Sequence, residues 1–150
     1  MIYAVVLAGS SAFGLDAAGG VMRYLAEHDI GFNVDITKVP LVCQSDLFNL
    51  TVGDMSVYPD KEMGYAACVN LEQGNYGTGT CATVGKLYGM DFCMKSGIGS
   101  YKVQIHDLQV GTIVAVNALG DIYDWKSRKK VAGLLDETKT VFTPCPQERL

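Results

Sequence analysis

The sequence predicts an α+β domain, and three observations carry that prediction. A continuous apolar and β-branched run opens the chain, two later stretches place apolar residues at helical spacing, and a strictly alternating pair of segments follows a glycine-rich loop. Met1–Ala8, Met-Ile-Tyr-Ala-Val-Val-Leu-Ala, has the pattern of a strand buried on both faces. A domain seldom begins in its central strand, so this start reads as abrupt, with preceding elements expected upstream. Gly9-Ser10-Ser11 breaks the strand, and a helix is predicted from about Leu15 to His28. Ala17, Val21, Leu25 and Ala18, Met22 would form its inner stripe, and Gly31 would stop it. Gly19-Gly20 inside that helix implies close packing on a neighbour, because each glycine costs about 1 kcal/mol there against alanine. Val39-Pro40-Leu41-Val42 is a short apolar run and Ser45–Leu50 is mixed. Pro59, followed by Asp60 and Glu62, opens a second helix to about Gln73, with Met63, Ala66, Ala67 and Leu71 facing inward.

Tyr101–His106 alternates as a half-buried strand would, with His106 on its polar face. Asp107-Leu108-Gln109 turns the chain and Val110–Val116 returns as a second strand. Lys126–Lys130 reads as a polar turn, Val131–Leu135 as a last apolar run, and Asp136–Leu150 as a polar tail.

The 150 residues match the size of one ordinary domain, and the boundaries are set at 1–150. With 49% hydrophobic and 19% charged residues and a mean hydropathy of +0.17, the chain is of globular composition. A net charge of −4 argues against nucleic acid as a partner, since the one basic cluster is short. No apolar run approaches the length of a membrane span, and the start carries no basic region of the kind that opens a signal peptide. The five cysteines, Cys43, Cys68, Cys81, Cys93 and Cys145, include no C-x-x-C pair. An odd number without motif spacing favours reduced thiols in a cytoplasmic protein over a disulfide framework or a zinc site. His106 has no second histidine or cysteine at ligand spacing, and no metal or cofactor is expected.

The chemistry is expected in Gly74–Lys95. Five glycines fall between Gly74 and Gly89, and only Lys86 and Lys95 carry basic charge in the run. Lys86 has no carboxylate within three positions on either side, so its partner must come from elsewhere in the fold. An ammonium among Gly, Ala, Val and Leu is a candidate for a perturbed pKa and a catalytic role; the other reading is a tight glycine loop with a solvated lysine. Asn117 ends the most apolar strand, just before Gly120-Asp121, and is either a turn-former or a positioned donor. The strand–glycine–helix opening also raises nucleotide binding. Gly9 and Gly14 are five apart, and no acidic residue ends a second strand where a dinucleotide fingerprint needs one.

Leu7–Ala17, Leu-Ala-Gly-Ser-Ser-Ala-Phe-Gly-Leu-Asp-Ala, resembles the signature of the self-processing L-aminopeptidase/D-esterase family, which includes β-peptidyl aminopeptidases and nylon-oligomer hydrolases. Further blocks match in order: Val39–Val42, Val52–Asp54, Met63–Ala67, Gly79–Lys86, Met94–Ser100, Val114–Asp121 and Ala132–Leu134. The resemblance covers nearly the whole chain. It implies an αββα sandwich of the kind found in amino-terminal-nucleophile hydrolases. The precursor cuts itself before a Ser or Thr, whose freed amine then serves as base for its own hydroxyl. By the same resemblance Lys86 is the lysine that assists the nucleophile, and Asn117 the asparagine that donates to the substrate carbonyl or oxyanion. Phe48 falls where some relatives carry a tyrosine, so no hydroxyl is expected there.

The departures from the pattern shape the expectation. No nucleophile-bearing Asn-Thr or Asn-Ser segment occurs in these 150 residues; Ser10 replaces a family glycine, and Asn49 a usual aspartate. The chain thus reads as the middle, or α-subunit part, of a precursor, inactive alone. Its expected partners are a nucleophile-bearing C-terminal β-chain, a small peptide or amino-acid amide or ester as substrate, and further copies of itself. A truncated non-catalytic binding or structural relative and a nucleotide-binding domain are the alternatives. Because the family nucleophile is Ser or Thr, the cysteines are expected to be incidental. In the complete enzyme Cys81→Ala and Cys93→Ala should leave turnover largely intact, and a loss of about a hundredfold in a folded variant, measured by amide hydrolysis, would overturn this.

Overall fold

β1 (Ala4–Ala8) and β2 to β4 (Phe32–Asn33, Lys38–Val39, Val42–Asp46) form two small sheets in the computed structural model. β1 pairs with β4 in parallel, Ala4 opposite Val42 and Ala8 opposite Asp46, and β2 pairs with β3 antiparallel. The structure describes residues 1–70, 72, 74–140 and 142, divided between two units, Met1–Thr78 and Gly79–Leu150. The predicted α+β content is present as two α-helices and a set of two-stranded sheets among the described residues. The opening strand is not buried on both faces. Val5 is 61% exposed and Met1 and Ile2 lie outside the strand, because the β1–β4 sheet has two strands and one covered face.

After β1 the chain makes a 3-10 segment, Ser11–Asp16, before α1 (Ala17–Glu27) begins, two residues later than the pattern suggested. The reason is spatial. A Cβ at Gly14 would lie 2.0 Å from the Gly9 carbonyl oxygen and 2.7 Å from Asp46 Oδ1, so the backbone folds onto itself here. Gln44 fixes the start of α1, accepting from the Ala18 N–H at 2.9 Å and donating to the Gly14 carbonyl at 2.5 Å. The expected stripe Ala17, Val21, Leu25 is buried, joined by Gly20, whereas Met22 is exposed. Asp29 (φ +57°), rather than Gly31, takes the left-handed position after the helix. Gly31 is instead required by packing, since its Cβ would meet the Val39 carbonyl carbon at 2.7 Å.

α2 (Lys61–Val69) is capped by Asp60, whose Oδ1 accepts from the Met63 N–H at 2.8 Å, so Pro59 precedes the cap. The helix ends at Val69; Leu71 and Gln73, expected to extend it, lie outside the described residues, as do Cys145 and most of the predicted tail. Met63 and Ala67 are exposed rather than inward. The inward position is Gly64, because the two helices meet through glycine. A Cβ on Gly64 would stand 2.0 Å from the Ala17 carbonyl oxygen, and one on Gly20 1.8 Å from that of Lys61. Arg23 and Glu62 add a fork of two 2.9 Å bonds at the exposed edge of this contact.

The second unit contains β5 (Thr83–Val84) paired with β6 (Met94–Lys95), the hairpin β7–β8 (Ile98–Ile105 and Leu108–Ala115), and β9 (Ile122–Tyr123) with β10 (Lys130–Ala132). The hairpin turns through His106 and Asp107, with Ile105 opposite Leu108. His106 sits at φ +51° in a two-residue turn rather than on a strand face. The predicted half-burial is absent: every residue of β7, and all of β8 but Ala115, is exposed, since no other described strand pairs with the hairpin. The core of the unit lies under β5, where Ala82, Val84 and Leu134 are buried. No helix among the described residues is long and apolar enough to cross a membrane.

Gly64→Ala should destabilise the protein by about 1–3 kcal/mol in urea unfolding, the usual cost of overpacking. Gly97→Ala, whose Cβ would meet nothing within 4 Å, should change it by no more than about 0.5 kcal/mol.

Candidate active site

Lys86 lies two residues past the end of β5, and its position is set by backbone. Gly85 occupies φ +70°, donates its N–H to the Gly120 carbonyl at 2.9 Å, and passes so near the next layer that a Cβ would lie 2.1 Å from Leu134 N. Only glycine fits that crossing. The Lys86 N–H then donates to the Leu119 carbonyl at 2.7 Å, tying the residue to the segment that follows Asn117.

The two residues singled out in the sequence meet here. Lys86 Nζ donates to Asn117 Oδ1 at 2.9 Å and to the Asn117 carbonyl at 3.2 Å. Asn117 Oδ1 also accepts from the Thr83 N–H at 3.1 Å. Both groups reaching Oδ1 are donors only, so the oxygen must face them and Nδ2 is the donor end of the amide. Asn117 lies beyond β8, two residues past Ala115, with its side-chain oxygen held by Lys86 and Thr83. An ammonium has three N–H donors, and two are committed to Asn117. Burial lowers the pKa of Lys86 below the ordinary lysine value, with the neighbouring Cys93 acting weakly in the opposite direction.

Two other expectations take a different form. Phe48 is exposed, and Asn49, at 6% exposure, accepts from the Ser10 N–H at 2.5 Å through Oδ1. Asn49 also fills the space beside Gly9, whose Cβ would lie 2.7 Å from its Nδ2, so the turn after β1 is occupied by protein.

Sequence reasoning missed the carboxylate beneath the site. Asp121 Oδ1 accepts from the Leu134 N–H at 2.7 Å, and Oδ2 lies 2.5 Å from Lys130 Nζ in an ion pair without the alignment of a hydrogen bond. Their side chains are 4% and 11% exposed. Lys130 therefore leaves the solvated polar turn to which the basic cluster assigned it. The available signal was the Gly-Asp pair immediately after Asn117.

A cation and an amide fixed together on closely packed backbone suit a reaction in which negative charge develops on a carbonyl oxygen, as in amide hydrolysis. The model of peptidase family S58 matches residues 1–139. The chain is 38% identical over 126 residues to an uncharacterized aminopeptidase of Mycobacterium tuberculosis, and 39% identical over 134 residues to one of Mycobacterium leprae; each match covers 81% of this chain and 35% of the relative. It is 31% identical over 130 residues to a 6-aminohexanoate-oligomer endohydrolase of Paenarthrobacter ureafaciens, again over 81% and 35% of the two chains. The chain thus spans about a third of the length of the curated relatives it matches. This chain belongs to peptidase family S58.

A desolvated Lys86 should lose its proton before an ordinary lysine does. In competitive acetylation across a pH series, the Lys86 amine should react at lower pH than a free lysine side chain in a short peptide; a midpoint equal to that reference would contradict the assigned burial. The sign for stability follows. A folded-state pKa below the unfolded one means that the unfolded chain binds more protons between the two values, so this residue adds stability as pH rises through that window.

Proposed function

We propose that this chain is part of a self-processing hydrolase that cleaves amide bonds in small peptides or amino-acid amides and esters, with a Ser or Thr nucleophile outside these 150 residues. The observation that carries the reading is the 2.9 Å bond between Lys86 Nζ and Asn117 Oδ1, which holds an ammonium and an amide donor in one preorganised group. In this reading the nucleophile's hydroxyl oxygen bonds to the scissile carbonyl carbon and its proton passes to the nucleophile's own α-amine. The carbonyl oxygen takes up negative charge, which Asn117 Nδ2 meets with a hydrogen bond and Lys86 with its field. Collapse of the tetrahedral species breaks the C–N bond, and the amine leaves with the proton. Water then cleaves the ester, regenerating the hydroxyl.

The αββα sandwich belongs to the same proposal. The family membership and the exposed apolar strands β7 and β8 support it, because such strands would be covered in a sandwich. The partners proposed are the nucleophile-bearing segment, a short amide substrate and further copies of the chain, in a cytoplasmic setting suited to the cysteine content. In the full-length protein, Lys86→Met and Asn117→Ala should each lower p-nitroanilide turnover by about a hundred- to a thousandfold, the usual cost of one oxyanion donor. Wild-type rates in both, beside a dead nucleophile variant, would reduce the two residues to scaffold.

A further inference from the structure

We propose that Asp121 and Lys130 are positioning residues for the Lys86–Asn117 group, acting through the Gly133–Leu134 backbone on which Gly85 rests. This rests on the reading of Lys86 and Asn117 given above. The connection is continuous. Asp121 Oδ1 holds the Leu134 N–H at 2.7 Å, and Lys130 Nζ lies 2.5 Å from the other carboxylate oxygen in an ion pair. Gly133 adopts φ +154° with no room for a side chain, since its Cβ would lie 2.1 Å from Asp121 Oδ1. Gly85 sits against this same peptide, 2.1 Å and 2.2 Å being the distances from its would-be Cβ to Leu134 N and the Gly133 carbonyl carbon. Gly85 and Lys86 are in turn held to Gly120 and Leu119, the two residues before Asp121. One carboxylate therefore closes a ring of short segments, 84–86, 117–121 and 130–134, that contains both members of the site.

A buried pair could merely stabilise the unit, and the two roles separate experimentally. Asp121→Asn keeps the acceptor for Leu134 and removes the charge; Lys130→Met removes the opposite charge at similar length. Together they take out a buried ion pair without leaving a lone charge, a change that is often close to neutral for stability. In the full-length double variant we expect a thermal midpoint near wild type, turnover lowered about tenfold at unchanged KM, and the Lys86 amine acetylated at the pH of the free peptide lysine. A small displacement can cost a reaction up to about a hundredfold, so a tenfold loss is in range. A double variant with wild-type turnover and a low Lys86 titration midpoint would overturn the proposal, and so would losses of turnover that only track losses of stability. If Lys86→Met itself left turnover unchanged, the assigned role of Lys86 would fail, and the acetylation midpoint alone would then decide whether Asp121 and Lys130 position that residue. Should the double variant not fold, Lys130→Arg, which keeps the pair but moves the charge, gives the same two readouts: either displaced from wild type in a stable protein supports positioning, and both unmoved overturns it.

Discussion

The closeness of Gly85 to the Gly133–Leu134 peptide is the constraint on which the site depends. A side chain at Gly85 would overlap the backbone of the next segment, so the turn after β5 exists in this form only because that position is glycine. Glycine permits the approach but does not hold it. Holding falls to directed bonds: the Gly85 and Lys86 N–H groups to the Gly120 and Leu119 carbonyls, and the Leu134 N–H to Asp121. Buried backbone donors must find acceptors, and here each bond also joins one segment of the site to another. The apolar residues Val84 and Leu134, at 0% and 1% exposure, fill what remains. Packing and polar satisfaction thus fix the same geometry, which is why a lysine with four flexible methylenes can have a defined place.

The first unit uses the same device for a different end. Gly20 and Gly64 let α1 and α2 meet backbone to backbone, and the larger side chains are displaced to the rim. Arg23, Glu62, Glu27, Tyr24 and Tyr65 assemble there, with a bidentate ion pair, a 2.7 Å Tyr65–Glu27 hydrogen bond and an edge-on ring contact. Exposed pairs of this kind contribute little individually. The helix contact is specified by what is missing from its centre.

How much of this was legible follows from the range of each interaction. The inner stripe of α1 repeats every four residues, so Ala17, Val21 and Leu25 were readable from spacing. Lys86 and Asn117 stood out because a charge and an amide in apolar surroundings each need a partner, though nothing local said the partner was the other. Met63 and Ala67 misled because helical spacing marks an apolar face without saying that glycine will outcompete it for the contact. Burial of the hairpin was also misjudged: alternation describes side-chain direction in a strand, and covering depends on neighbours that the strand does not encode. Asp121 and Lys130 were hidden by their settings, one at a turn-like Gly-Asp and the other at the end of a basic cluster whose members are otherwise exposed.

The two partly buried lysines among the described residues of the second unit, Lys86 and Lys130, are held in different ways. Lys130 faces a carboxylate at 2.5 Å, and the two charges largely cancel at any distance beyond the pair. Among the described residues, the Lys86 ammonium donates to two oxygens of one asparagine, the side-chain amide and the backbone carbonyl. Those dipoles orient the ammonium without neutralising it, so its field remains available to a third group. The cost of that arrangement is visible in the direction of its pKa, which burial lowers and the neighbouring Cys93 opposes only weakly. A residue serving only stability would gain from the opposite choice, a carboxylate partner such as the one nine positions before Lys130 in the same unit. A cation left uncancelled and desolvated is less favourable to the folded state and more useful to a developing oxyanion. Asn117 completes the logic, since accepting through Oδ1 fixes the amide and turns its donor end outward from the lysine it holds.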